Sequence, residues 1–435
     1  MRLSDRDRAP ASGPPTTPPG AASGRARERL ALYATVFLAQ TGSAAAAPIL
    51  PDLRSVFGIS AATVVLTTSI WGAARLVTDL PLGAATNRIR LDLLLVVGTI
   101  LAAVGSIGCA LSPNFGVLLA FRAVAGMGAA VISISAVVAL IRVSEPNRRG
   151  RALGFYNAAV QAGSTLSPAV AGFAGAIWGW PAAFLVAGLG AIGGTGVYLF
   201  LSSRARGAGE LLTPAAAAGP PQPEVQVVEG SSPDAGRRPL PGSRILFLSI
   251  DYATFALFFL TGAVMQTAIP LFGGSQLALG PGSIGLLLGG ATALRFTISL
   301  IGAELSDRIG RRKILVPGLL TSSAFLAGFT LVGSVPTYVV ATLGMAAGRV
   351  GNSMPIALLS DHASQDRMGR LIGINRFVAD LGLVTGPLVA GILIDRSGYA
   401  VAFLACAVVA ASAAAFIGLE RVVARRSSAA GTGAA

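Results

Sequence analysis

The chain has 435 residues, of which 53% are hydrophobic and only 12% charged, and its mean hydropathy is +0.71. A soluble domain carries about a quarter charged residues, so most of this surface need not meet water. The net charge of +14 would suggest a nucleic-acid partner in a soluble protein, but here the basic residues sit between apolar runs, as in the loops of a membrane protein, and no nucleic acid is expected.

Other composition signals are mostly exclusions. Cys109 and Cys406 lie inside apolar runs without any ligand spacing, so no metal site, disulfide framework or cofactor is expected. No phosphate loop or nucleophile elbow stands outside the apolar runs, which argues against an ATP-driven pump and against an enzyme. His362, the single histidine, stands beside Asp361 with no second ligand near it. Lys313 is the only lysine among 33 basic residues, and with the heavy Ala and Gly use this points to a GC-rich bacterial genome.

In chain order, residues 1–28 read as a disordered cytoplasmic tail, because a polar, Pro-rich stretch through Pro19 precedes any apolar run and does not form a signal peptide. A hydrocarbon core of about 30 Å needs about 20 apolar residues per helix. Six such segments follow within an N-terminal half, 29–201, at about 30–50, 61–85, 91–112, 115–141, 152–177 and 181–201. Residues 202–243 are rich in Pro, Ala, Gly and Ser and read as a flexible cytoplasmic linker. Six more segments fill a C-terminal half, 244–421, at about 244–271, 283–304, 313–333, 336–360, 371–394 and 399–420, and 422–435 reads as a second disordered tail. The fold class is thus an all-α integral membrane protein of twelve transmembrane helices. Of the 33 Arg and Lys, 26 fall on the side shared by both termini, while only Arg54 and Arg396 fall opposite, so both termini are expected in the cytoplasm.

The halves repeat. Residues 147–184 set against 366–403 give twelve identities in 38 pairs, among them Arg148/Arg367, Gly163/Gly382, Pro168/Pro387 and Gly172/Gly391. An offset of 220 pairs Thr41-Gly42 with Thr261-Gly262, Arg75 with Arg295 and Arg88 with Arg308. Parallel duplications of this kind place a substrate site between the halves near the midplane and let the halves rock around it.

Several motifs carry chemistry. The loop after helix 8 reads Ala303-Glu304-Leu305-Ser306-Asp307-Arg308-Ile309-Gly310-Arg311-Arg312, with a turn at Gly310, basic groups for the membrane surface and an acid able to sit at a helix N-terminus. It resembles the G-x-L-A-D-R-x-G-R-[KR] motif of the major facilitator superfamily, with Ala303 in the first Gly place. The equivalent loop after helix 2 is degenerate: Gly83 and Arg88 remain, but Asn87 stands where the family has Asp. Helix 4 carries Arg122 with Gly126 and Gly128, similar to the family's R-x-x-x-G-x-G. Helix 5 carries Gly163, Ser167, Pro168, Ala171 and Gly172, and helix 11 carries Gly382, Gly386, Pro387, Ala390 and Gly391, both similar to the antiporter motif G-x-x-x-G-P-x-x-G-G. The run Pro48 to Ser60 resembles one of the twelve-helix drug:proton antiporters. The resemblance covers about residues 30–421. It implies a secondary transporter with a small-molecule substrate, proton coupling, and Asp307 as a cytoplasmic latch.

Few ionisable groups lie at membrane depth, and each needs a partner or a water-filled cavity. Asp251 and Asp380 are the first candidates for carrying the proton, followed by Asp79, with Arg122 and Arg75 tuning them. Arg75 with Asp79, and Arg376 with Asp380, stand at i,i+4 and read equally as local charge neutralisation. Arg122 reads alternatively as a structural cation bonded to helix 1 at Gln40 or Thr41. Candidates for the substrate cavity are Gln40, Thr41, Tyr252, Phe255, Arg295, Arg349 and Arg376; for the aromatics, lipid contact is the competing reading. The expected activity is proton-coupled export of small apolar or amphipathic molecules by a monomer in a bacterial inner membrane, with lipid, protons and substrate as its only partners. The alternatives are an uptake symporter or facilitator for a small metabolite, or a non-transporting membrane sensor or scaffold.

Overall fold

The computed structural model describes residues 19–85, 89–145, 148–206, 243–349, 354–362 and 365–432. Residues 1–18, Asn87, Arg88, most of the linker (207–242) and 433–435 lie outside them, as do the side chains of Asp307 and His362.

Helix is the only regular structure among the described residues. The first half comprises α1 (Pro19–Gln40), a turn at 41–46, a short 3-10 helix (Ala47–Ile49), α2 (Leu50–Phe57), α3 (Ala61–Val64), α4 (Leu66–Ala85), α5 (Leu91–Ala110), α6 (Phe115–Val143), α7 (Arg149–Trp178) and α8 (Trp180–Arg206). The second half comprises α9 (Ser243–Leu260), a π-helix (Thr261–Ala268), α10 (Ile269–Gln276), α11 (Pro281–Ile309), α12 (Arg312–Gly328), α13 (Val335–Gly348), α14 (Met354–His362) and α15 (Gln365–Thr432). Helix α15 is two rods, since Gly398 interrupts it at φ 84°, ψ 173°. Gly179 breaks the chain between α7 and α8 at φ 83°, ψ 169°. The two lie 219 residues apart, so the duplication extends to a backbone conformation that only glycine adopts freely.

Each of the twelve expected stretches carries helix, but only eight described spans are long and apolar enough to cross a bilayer by length and composition. One of the eight, Arg370–Leu419, holds two rods. The stretches that fall short are the first, diluted by the charges of α1; the fifth, diluted by the Gly, Ser and Arg residues of α7; and the tenth, interrupted between α13 and α14. Helix α1 starts at Pro19, inside the stretch expected to be a tail, and α15 runs on to Thr432. Proline is favoured at a first helical position, and the Ala, Arg and Glu residues that follow carry the backbone on beyond the apolar run.

The apolar core forks. One buried cluster joins the halves at the end remote from the termini, with Ile49, Leu50, Leu53 and Val65 from the first half against Leu260, Phe272, Ile284 and Ala390 from the second. Toward the termini the core divides into one cluster per half, around Leu32, Leu95, Ile132 and Tyr198 and around Ile250, Leu257, Leu315 and Leu359. The joined end is also bonded by polar groups. The Asp395 carboxylate accepts from the backbone N–H groups of Ala61 and Ala62 at 2.9 and 2.7 Å, capping the start of α3 from the opposite half. Ser69 Oγ donates to Val384 O at 3.0 Å.

Asp395→Ala removes a charged acceptor from two helix-end N–H groups, worth about 1–2 kcal/mol, or a 5- to 30-fold shift in population. Spin labels at the exposed positions Val56 and Leu331 should then report a longer, broader distance distribution than in the parent. An unchanged distribution would show that this cap does not hold the end shut.

Candidate functional site

The groups that sequence places at membrane depth are carried by helices on both sides of the fork. Helices α4 and α15 approach one another antiparallel, with Gly72 against Val384, and carry Arg75, Asp79, Arg376 and Asp380. Arg75 Nε lies 4.0 Å from Asp79 Oδ2. Arg376 and Asp380 form no such ion pair. Instead, both aspartates lie within electrostatic reach of both arginines, across the halves. Of the two expected local pairs, Arg75–Asp79 forms and Arg376–Asp380 does not: helix register brings the four charges within reach of one another as a quartet. Neither Asp79 carboxylate oxygen has a hydrogen-bond partner, although both are buried.

Arg122 is buried, and its Nε donates to Thr67 O at 3.0 Å. Its partner is the helix 2 backbone, which corrects the reading of a bond to Gln40 or Thr41. The guanidinium lies 5.9 Å from the Trp71 ring centroid and 5.6 Å from that of Phe184, while Arg75 covers Trp71 at 5.8 Å. Two cations thus share one indole, each within cation–π range. Gln40 joins Arg122, Trp71, Ser106 and Ser133 around a space of about 30 Å³, enough for a water molecule but not for a substrate. Thr41 Oγ1 turns back to Leu38 O at 2.6 Å.

In the second half, Asp251 is half-buried and accepts from Asn375 Nδ2 at 2.8 Å; the same amide donates to Thr254 Oγ1 at 2.8 Å. Arg349 is fully buried and donates to Leu257 O at 2.7 Å and to Thr261 Oγ1, at the point where α9 widens into the π-helix. Arg295 lies in electrostatic range of Arg349. Tyr252 does not line the fork: its hydroxyl bonds Ser412 Oγ at 2.7 Å and its ring packs on Phe416, since it faces the last helix. Phe255 stacks between Tyr252 and Phe259.

The small-residue motifs hold the helices at backbone contact. A Cβ on Gly163 would lie 2.4 Å from Phe37 O in α1, and one on Gly382 would lie 2.6 Å from Phe255 O in α9. A Cβ on Gly172 would lie 2.4 Å from Pro281 O, and one on Gly391 2.9 Å from Ala62 Cα, both across the halves. Each motif therefore packs its own half at one glycine and the opposite half at another. Gly386 meets Phe259 O and Gly262 meets Pro387, while Pro168 presents its carbonyl to Gly285. In the loop after α11, Gly310 turns at φ 100°, Arg308 pairs with Glu304 at 2.7 Å, and Arg311 pairs with Asp361 at 3.2 Å. Ala303 is exposed on α11, Arg312 opens α12, and Gly83 lies in the last turns of α4.

Three polar residues of this architecture escape the sequence reading: Trp71, Asn375 and Asp395. Trp71 stands four residues before Arg75, hence on the same helix face. Asn375 is an amide inside an apolar helix. Asp395 ends its apolar run, but nothing local shows which helix end it caps.

The Major Facilitator Superfamily model matches residues 32–272 and 252–434. The chain belongs to this family. It is a multi-pass membrane transporter and not an enzyme. Multidrug resistance protein 1 of Bacillus subtilis is 20% identical over 365 residues, covering 84% of this chain and 89% of that protein. Multidrug resistance protein Stp of Mycobacterium tuberculosis is 31% identical over 142 residues, or 32% of this chain and 26% of Stp. An uncharacterized MFS-type transporter of the same organism is 30% identical over 156 residues, or 36% of this chain. The chain spans only 27% and 26% of the lengths of these two mycobacterial proteins. The fold is that of a bacterial Spinster homologue solved inward-facing and occupied (TM-score 0.71, 17% identity, 93% of this chain and 97% of that one). It is also that of a D-xylose-proton symporter (TM-score 0.70, 14% identity, 90% and 96%).

Asn375→Ala should lower the thermal stability of the purified protein, and a double-mutant cycle with Asp251→Ala should return a coupling of about 1 kcal/mol. Strictly additive losses would show that the Asp251–Asn375 bond contributes nothing.

Proposed function

We propose that this transporter is a proton-coupled exporter of small apolar or amphipathic molecules in a bacterial inner membrane, working as a monomer by alternating access. The observation that carries the reading is the forked core, joined across the halves at one end and divided toward the termini, with membrane-depth acids in the fork. With the loop charges setting both termini and the 202–243 linker in the cytoplasm, and twelve crossings, the fork opens inward. The printed names of the B. subtilis and M. tuberculosis relatives support export of drug-like molecules. The likeness to a sugar symporter is one of fold at 14% identity and favours no direction.

The chemistry of alternation follows from the quartet. Its antiparallel register sets Arg75 toward Asp380 and Asp79 toward Arg376 when the termini-side end closes. Formation of those cross pairs offsets the loss of the Asp395 cap and of the glycine contacts at the far end. A proton taken up by Asp251, which among the described residues has the Asn375 amide and no cation beside it, changes that balance without breaking an ion pair. The latch assigned to Asp307 by family resemblance belongs to the same inward end.

In proteoliposomes holding a substrate found by a growth-inhibition panel, Asp251→Asn should abolish pH-gradient-driven transport by at least tenfold while sparing substrate exchange. If Asn at Asp79, Asp251 and Asp380 in turn leaves gradient-driven transport intact, facilitated diffusion replaces antiport. Absence of movement for any solute in the parent would instead favour a non-transporting sensor.

Topology is checked separately. A reporter active only in the cytoplasm should work when fused after residue 220 or at the C-terminus, and a periplasm-only reporter should be silent at both. Periplasmic activity at either place would overturn the orientation.

A further inference from the structure

The charges at membrane depth do not balance. Five arginines (75, 122, 295, 349, 376) face three aspartates (79, 251, 380). The quartet of Arg75, Asp79, Arg376 and Asp380 is neutral in itself. Asp251 is met by an amide. That leaves Arg122, Arg295 and Arg349 without a carboxylate among the described residues.

Their situations differ. Arg122 is held by Thr67 O and two aromatic faces, and Arg349 by Leu257 O and Thr261 Oγ1. Arg295 forms no hydrogen bond or ion pair with any described residue. It is mostly buried, and it occupies the middle of α11, fourteen residues from either end, about 21 Å of helix each way. Among the described residues its electrostatic neighbour is another cation, Arg349, whose Nε is buried and also without a hydrogen-bond partner there. Two guanidinium groups at mid-membrane with no anion between them are costly, and such groups mark ligand pathways.

The duplication shows that the missing acid is a change in this half. Arg295 is the repeat of Arg75 at an offset of 220, and the same offset carries Asp79, the partner of Arg75, onto Ser299. The second half keeps the cation and lacks its neutralising carboxylate.

We propose that Arg295, backed by Arg349, is the binding site for an anionic group on the transported molecule, so that the substrates are organic anions with an apolar body. This rests on the export reading and narrows its substrate class. A carboxylate or sulfonate seated on the Arg295 guanidinium accepts two parallel N–H bonds and supplies the charge that Ser299 does not. Arg349, pinned to helix 7, adds field and fixes the depth of the anion.

The test uses the full-length purified protein and six matched triples of aryl and alkyl compounds, each a carboxylate, its methyl ester and the corresponding primary ammonium; 2-naphthoate, methyl 2-naphthoate and 2-naphthylmethylammonium make one triple. Thermal stabilisation and proteoliposome flux are read for each. At least one carboxylate should bind tenfold or more tighter than its ester and its ammonium. Arg295→Gln should erase that preference with an unliganded Tm within a few degrees of the parent, and Arg295→Lys should keep part of it. The inference falls if no triple shows anion preference, if Arg295→Gln retains it, or if chloride alone stabilises as well as the carboxylates, which would mark an inorganic anion site. Movement of esters or ammonium compounds without anion preference would overturn the inference and leave the export reading standing. If none of the eighteen moves, yet a carboxylate binds in an Arg295-dependent way, the export reading fails and the anion site stands.

Discussion

An ion at membrane depth must find its counter-charge inside the protein or in water held between helices, since lipid offers neither. The layout of this transporter follows from that constraint. A charge buried on one helix cannot be answered by solvent, so it is answered by a neighbouring helix, and the answer fixes which helices stay together. Arg122 ties α6 to the α4 backbone, and Arg349 ties the end of α13 to α9. Asn375 ties helix 11 to helix 7 through Asp251. These bonds lie within one half each and tie the helices of that half together. At membrane depth, among the described residues, the quartet of Arg75, Asp79, Arg376 and Asp380 answers charge across the halves, and it does so at longer range. Its strength therefore depends on how far the halves are apart, which the bonds within a half do not.

The glycine motifs supply the complementary property. Lipid is as apolar as the helices, so helix contact in a membrane rests on close packing of small residues. Gly163 and Gly382 each seat helices 5 and 11 against a helix of their own half, whereas Gly172 and Gly391 seat the same two helices against the other half. Helices 5 and 11 thus belong to both surfaces. Tilting about them breaks the Gly172 and Gly391 contacts without touching those at Gly163 and Gly382. A rocking motion needs this separation of rigid and breakable contacts along one helix.

Much of this was legible in the sequence. Twelve apolar stretches, the offset of 219–220 residues and the Gly/Pro spacing gave the fold, because hydropathy and small-residue period are local properties. Partners were less legible. The structural alternative for Arg122 points to helix 1 whereas its bond goes to Thr67 in α4, and Arg376, expected beside Asp380, joins a four-membered cluster, because which helices adjoin is a matter of packing. Tyr252 was placed at the cavity and faces Ser412, since residues on a helix apolar all round give no sign of which face looks inward. The Asp395 cap could not be seen at all: its acceptor stands 334 and 333 residues from its two donors.

The two halves break their first helices at equivalent places and repair the break differently. In the first half the helix stops at Gln40, the chain turns through 41–46, and the N–H of Ala44 donates to Ser167 Oγ at 2.9 Å. Ser167 occupies the place that Gly386 holds in the second half, and glycine has no side chain to offer. There the helix does not unwind but widens into a π-helix from Thr261, keeping its backbone bonds one residue out of step. Leu257 O, in the last turn of α9 before the widening, accepts from Thr261 Oγ1 and from Arg349. Arg349 is therefore held at this depth by a backbone carbonyl and a hydroxyl at the onset of the π-helix, since a buried cation needs acceptors. Arg295 has no such acceptor among the described residues. Its helix runs unbroken from Pro281 to Ile309. Of these two neighbouring cations, acceptors on the first helix of this half hold one, and no described residue bonds the other.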